Sequence, residues 1–226
     1  MFLFCTPLLA EENSISLGTG LYSQTQPYKK SKNLILPSPV IFFDNSLLYI
    51  RWTRVGIYFM GEKNDNLSWG LSLTALPRTI SYKSNISSVK DKKSTWEGGV
   101  SFGISKENYY AELLLLHDLL NNHKSYVTQF ELGSEYKIYN ATFYPSISFF
   151  YQSSEFINYY YEPKKKDSGI NFALQTYINY PLSQNLSTFL NFKVEKLSKK
   201  ITNSSLVTNK VVYSSLFSLI YTYHYN

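Results

Sequence analysis

The sequence predicts an all-β fold: a closed antiparallel transmembrane β-barrel of about 12 strands, with 10 as the alternative count. Three observations carry this. Apolar and polar residues alternate over unusually long stretches, the connections alternate between short and long, and lysine gathers in the long ones. The last ribbon, residues 211–225, shows the alternation best. Val211, Tyr213, Ser215, Phe217, Leu219, Tyr221, Tyr223 and Tyr225 share one parity, greasy and rimmed with tyrosine, while Val212, Ser214, Leu216, Ser218, Ile220, Thr222 and His224 fall on the other, which is mixed and more polar. In extended chain these are opposite faces. Strands of soluble proteins run to about five or six residues, whereas a tilted strand crossing a bilayer needs about nine to eleven.

Taken in order, the expected strands are 14–23, 35–43, 46–52, 54–61, 67–77, 95–104, 108–117, 126–138, 141–153, 169–180, 186–196 and 211–225. The first is rich in glycine. The second holds Pro37 and Pro39, which share parity and each lack a ladder donor, so a broken ladder or bulge is expected near one rim. That feature reads either as a kink shaping the barrel or as a lateral weak point. The third and fourth are divided at Thr53. Strands 95–104, 126–138, 169–180 and 186–196 alternate cleanly, for example Trp96, Val100, Phe102 and Ile104 against Thr95, Glu97 and Ser101.

Charges placed between apolar neighbours, such as Glu131 between Phe130 and Leu132, fit a polar lumen better than a two-sided core. Glu97, Glu112, Glu131, Glu135, Lys193 and Glu195 are therefore expected to point inward. Buried charge must be paired or hydrated. Twelve strands leave a modest bore, and Tyr110, Tyr144, Phe150 and Phe189 are large, so the lumen is expected to be constricted.

Connections after strands two, four, six, eight and ten are short and carry turn residues; those between are mostly long. Outer-membrane barrels are built this way, with the short rim periplasmic. Fourteen of the 22 Lys and Arg lie in the long loops, among them Lys29, Lys30, Lys92, Lys93, Lys164, Lys165 and Lys166. A basic outer surface attracts anions: its partners would be outer-membrane lipid and lipopolysaccharide, or the loops are simply solvated. Nucleic acid is not a partner for a secreted barrel.

Residues 1–10 (MFLFCTPLLA) look like a remnant of a secretory signal peptide, leaving 11–226 as a single barrel domain. With Cys5 as the one cysteine, no disulfide framework exists. No zinc spacing or phosphate-cradling loop is present, so no metal or cofactor is expected. Ser125, His123 and Asp118 form the one constellation that resembles a hydrolase site, and such a trio arises easily by chance. The chain is expected not to be an enzyme.

One string is recognisable. Leu17-Gly18-Thr19-Gly20 precedes Gln26-Pro27-Tyr28, and then Leu36-Pro37-Ser38-Pro39 leads into Phe42-Phe43. Glu112 and Asp118 followed by His123, and Tyr159-Tyr160-Tyr161-Glu162-Pro163, come after in order. This resembles the MipA/OmpV family of outer-membrane proteins over nearly the whole mature chain. The resemblance implies a bacterial outer-membrane location and, for the name-giving member, a scaffold bridging a murein lytic transglycosylase and a penicillin-binding protein in peptidoglycan synthesis. A narrow porin-like channel or surface adhesin is the alternative; a lipid-modifying enzyme ranks below both.

Overall fold

The computed structural model describes residues 14–45, 47–64, 67–78, 92–162 and 167–225. The expected leader, residues 1–10, and Lys164, Lys165 and Lys166 lie outside the described residues. The strands are β1 (Ser14–Gln24), β2 (Leu34–Asp44), β3 (Leu48–Arg51), β4 (Arg54–Lys63), β5 (Ser68–Arg78), β6 (Thr95–Lys106), β7 (Tyr109–Asp118), β8 (Tyr126–Ser134), β9 (Tyr136–Ile138), β10 (Ala141–Gln152), β11 (Gly169–Pro181), β12 (Leu186–Lys196) and β13 (Val211–His224). Sequence neighbours pair antiparallel, and β1 pairs with β13 from Ser14↔His224 to Gln24↔Ser214. The ring is therefore closed.

Strands β8 and β9 are two parts of one stave. Both pair with β10 in a single register, Gly133↔Ser146 and Tyr136↔Phe143. Glu135 turns its N–H to Asn108 on the β7 side, so Ser134 turns toward β10, where Pro145 stands in the same register and has no N–H to return. The ladder skips there and resumes. Counted by staves, the barrel has twelve.

The alternation decides which side meets lipid. Leu21, Phe102, Leu115, Phe130, Phe149, Leu174, Phe217 and Leu219 are exposed on the outer face. Tyr109, Tyr136, Tyr180, Tyr221 and Tyr223 ring the end that carries the short turns; Trp96, Tyr126 and Tyr213 stand near the other. An apolar band between aromatic girdles matches a hydrocarbon layer with two wet interfaces. Inward parity places Val40, Phe42, Phe189, Leu216 and Ile220 in one buried cluster, and Tyr49, Tyr58 and Tyr110 in another. Gly18 and Gly20 face inward beside Ile220 and Ser218. A Cβ on Gly20 would lie 2.4 Å from the Phe217 carbonyl, so bare backbone is needed at that approach.

The outer mouth is lidded. Helix α1 (Ser154–Tyr161) starts where the Ser153 hydroxyl accepts from Phe156 N at 3.3 Å, and stops at left-handed Glu162. It packs with α2 (Lys199–Thr202). Phe156, Ile157, Tyr160 and Ile201 are fully buried there against Tyr28, Val127 and Leu206. Each such side chain contributes about 1.5–3 kcal/mol by leaving water. Two ion pairs, Lys92–Glu162 and Lys200–Asp167, hold the lid's rim.

Candidate functional site

Among the described residues, the ladder of the wall is interrupted beside β2. Strand β3 has four residues and meets β2 through Phe42↔Arg51, Phe43↔Ile50 and Asp44↔Tyr49. The chain then turns at Trp52-Thr53, partway up the wall. Trp52 N donates to the Ile41 carbonyl at 2.8 Å, so the backbone groups of Ile41, and by alternation of Pro39 and Pro37, face β3 and the space above it. Among the described residues, no strand pairs with residues 34–40 on that side. Pro37 and Pro39 thus occupy an open edge, where a missing donor costs least. Trp52 takes φ 55, uncommon for a bulky side chain. Its indole N–H donates to Ser38 Oγ at 2.9 Å and its ring lies 5.8 Å from Tyr22.

Behind this gap lies a cavity of about 330 Å³. Its lining includes Pro37, Pro39 and Pro77, which face outward, together with Ser38, Leu76 and Arg78, which face inward. A cavity touching both faces of β2 and of β5 passes between them, so among the described residues it reaches through the wall. A second chamber of about 130 Å³ under the lid shares Tyr22, Arg78 and Lys193 with it.

Ion pairs and rings fill the rest of the lumen. Arg54 donates to Glu112 at 2.7 Å, Thr74 at 2.9 Å, Ser101 at 2.8 Å and Tyr49 at 3.0 Å. Arg51 holds Asp44 at 2.6 Å and reaches Tyr58 Oη. Arg78 holds Glu97 at 2.5 Å. Lys193 meets Glu195 at 2.9 Å and sits 4.2 Å over the Phe150 ring. Phe42 meets Phe189 edge-on at 5.0 Å, and Tyr177 stacks on Phe189 at 5.6 Å.

Of the acids read as inward, Glu97, Glu112 and Glu131 are buried, and Glu195 is mostly so. Glu135 is half-buried near Tyr144. Lys29, Lys30 and Lys93 are exposed in the long loops; Lys92 is largely covered by its contact with Glu162. Sequence reasoning passed over Asp44, Arg51, Arg54 and Arg78. Their signal was a charge next to a strand end, but the partners lie 58 residues away for Arg54–Glu112.

The Ser125, His123 and Asp118 grouping does assemble, with Glu97 added. His123 Nδ1 lies 2.7 Å from Ser125 Oγ, and Nε2 lies 3.4 Å from Glu97 Oε1. Asp118 accepts from His123 N at 2.6 Å, Lys124 N at 2.9 Å and the Thr95 hydroxyl. Phe156 and Tyr160 of the lid cover the imidazole at 4.9 and 5.8 Å. Ser125 is buried and is absent from the lining of both lumen chambers. The arrangement pins the loop after β7 beneath α1. Burial pushes the hydroxyls of Tyr160 and Tyr161 above the ordinary tyrosine range.

A closed twelve-stave ring with an apolar outer band, two aromatic girdles and a polar lumen makes this an outer-membrane β-barrel protein. The family described as "MltA-interacting protein MipA" matches residues 17–223, and the chain belongs to that family. The MltA-interacting protein of Escherichia coli (strain K12) is 25% identical over 232 residues, covering 95% of this chain and 91% of that one. Outer membrane protein Omp26La of Vibrio anguillarum is 23% identical over 168 residues, covering 69% of this chain and 65% of that one. Among solved structures, a loop L8 deletion mutant of OmpT, an outer membrane protein of Vibrio cholerae, has a TM-score of 0.46 at 6% identity, covering 93% of this chain and 100% of that one.

Proposed function

We propose that this protein is a non-enzymatic docking component of the outer membrane that helps hold a murein lytic transglycosylase, and through it a penicillin-binding protein, near the wall they remodel. The observation that carries the reading is the filled and lidded bore: side chains and the α1–α2 lid occupy the path a solute would take. The outer and rim surfaces are then what the barrel offers. Four of the five short turns place an exposed Leu47, Leu67, Tyr139 or Leu182 on the periplasmic side, where a partner's apolar surface can cover them. Kinship with an MltA-interacting protein gives the partner its class. Exposed Lys29, Lys30 and Lys93 on the opposite rim suit contact with lipopolysaccharide phosphate.

The test is crosslinked pulldown from intact envelopes, run beside planar-bilayer recording. The expected result is recovery of a lytic transglycosylase, reduced when Tyr139→Asp and Leu182→Asp are combined, with no regular conductance steps. Steady single-channel steps without murein enzymes in the pulldown would replace docking by a pore.

A further inference from the structure

Glu112 and Glu131 stand directly opposite each other in the β7–β8 ladder, both inward and both buried. Like charges in that position repel. One guanidinium serves the pair, since Arg54 is held by Glu112. Glu131 accepts only from neutral groups: Tyr110 Oη at 3.0 Å, Ser148 Oγ at 3.1 Å and Gln129 Nε2 at 3.4 Å. The other lumen cations face other acids, Arg51 with Asp44, Arg78 with Glu97 and Lys193 with Glu195. Among the described residues, Glu131 is left without an ion pair, and a buried carboxylate in that state is costly.

Glu131 lines the main cavity. In the adjoining chamber Gln152 is buried and, among the described residues, its Oε1 accepts no hydrogen bond. Glu131 therefore offers an unbalanced negative charge, and Gln152 an acceptor, to a donor from outside the chain. The way in is apolar. Among the described residues, Leu36, Pro37, Pro39, Leu76 and Pro77 frame the gap between β2 and β5, on the part of the wall that carries the apolar outer band. Phe42, Leu114, Phe150 and Phe189 continue that character inside.

We propose that the cavity binds a cationic amphiphile, with an ammonium head on Glu131 and an alkyl chain leaving through the wall into the outer half of the bilayer. The binding needs no murein enzyme, so it stands or falls apart from the docking role.

The experiment uses the full barrel in nanodiscs of zwitterionic lipid, carrying Trp69→Phe and Trp96→Phe so that Trp52 reports alone. Dodecylamine, dodecanol and dodecanoate are titrated separately at neutral pH. Dodecylamine is expected to change Trp52 emission saturably, at roughly tenfold lower concentration than dodecanol, the worth of one charge-assisted hydrogen bond. Glu131→Gln is expected to erase that preference while the barrel keeps its heat-modifiable gel mobility. Leu36→Phe, which crowds the mouth without adding an indole, is expected to weaken all three probes together and serves if the first variant fails to fold. Equal response to the three heads, a dodecanoate preference, or an amine preference surviving in folded Glu131→Gln overturns the proposal, as does unchanged binding in Leu36→Phe.

Discussion

Removing Arg54 tests how far the lumen depends on paired charge. In Arg54→Met, four hydrogen bonds disappear, and Glu112 is left facing Glu131 across the ladder with no cation between them. Breaking one side of a buried pair costs about 3–5 kcal/mol, most of it from the stranded charge. Combining Arg54→Met with Glu112→Leu removes both charges; such replacements are often neutral or favourable by about 1–4 kcal/mol. The assay is reversible urea unfolding of barrels refolded into lipid vesicles, followed by tryptophan emission. The single variant should lose about 3–5 kcal/mol, and the double variant should recover most of it. A single variant within about 1 kcal/mol of the parent, or a double variant no better than the single, refutes the reasoning.

Further outcomes follow from the same geometry. Phe156→Ala, emptying a fully buried site in the lid, should cost about 3–5 kcal/mol of lid stability, read as faster cleavage of residues 153–168 by protease with the strands intact. Phe217→Arg, on the lipid face, should destabilise the barrel in vesicles by about 2–4 kcal/mol, depending on depth. Gly20→Val drives a Cβ into the Phe217 carbonyl and Ser218, and should reduce assembly in pulse-chase insertion assays. Burial raises the folded pKa of Tyr160 and Tyr161, so their contribution is intact below the unfolded value of about 10 and declines as pH rises past it. Protease sensitivity of the lid should increase on that alkaline side.

The staves were legible because every second residue answers to lipid. Expected bounds such as 186–196 and 211–225 differ from Leu186–Lys196 and Val211–His224 by a residue or less at each end. The third strand was harder. Residues 46–52 alternate, yet the strand itself is Leu48–Arg51, ended by the turn at Trp52, which is fixed by contacts with Ile41 and Ser38 on a strand already passed. The prolines announced a broken ladder, but not that the neighbouring stave would stop below them. Helix α1 carries a local signal, absent from the strand pattern: Phe156, Ile157, Tyr160 and Tyr161 recur at helical spacing behind a Ser153 cap. The lumen pairs are tertiary facts. Nothing near Arg54 in the chain identifies Glu112, and the excess carboxylate at Glu131 becomes visible only once Arg51, Arg78 and Lys193 are matched to their own acids.

Spin-label scanning of residues 213–220 in lipid vesicles measures most directly which side of a stave meets hydrocarbon. A nitroxide at 213, 215, 217 and 219 should show high oxygen accessibility, while 214, 216, 218 and 220 should show little, in strict alternation. Accessibility without a two-residue period, or high exposure of the odd positions to a water-soluble relaxant instead of oxygen, would contradict a closed barrel that turns this face to lipid.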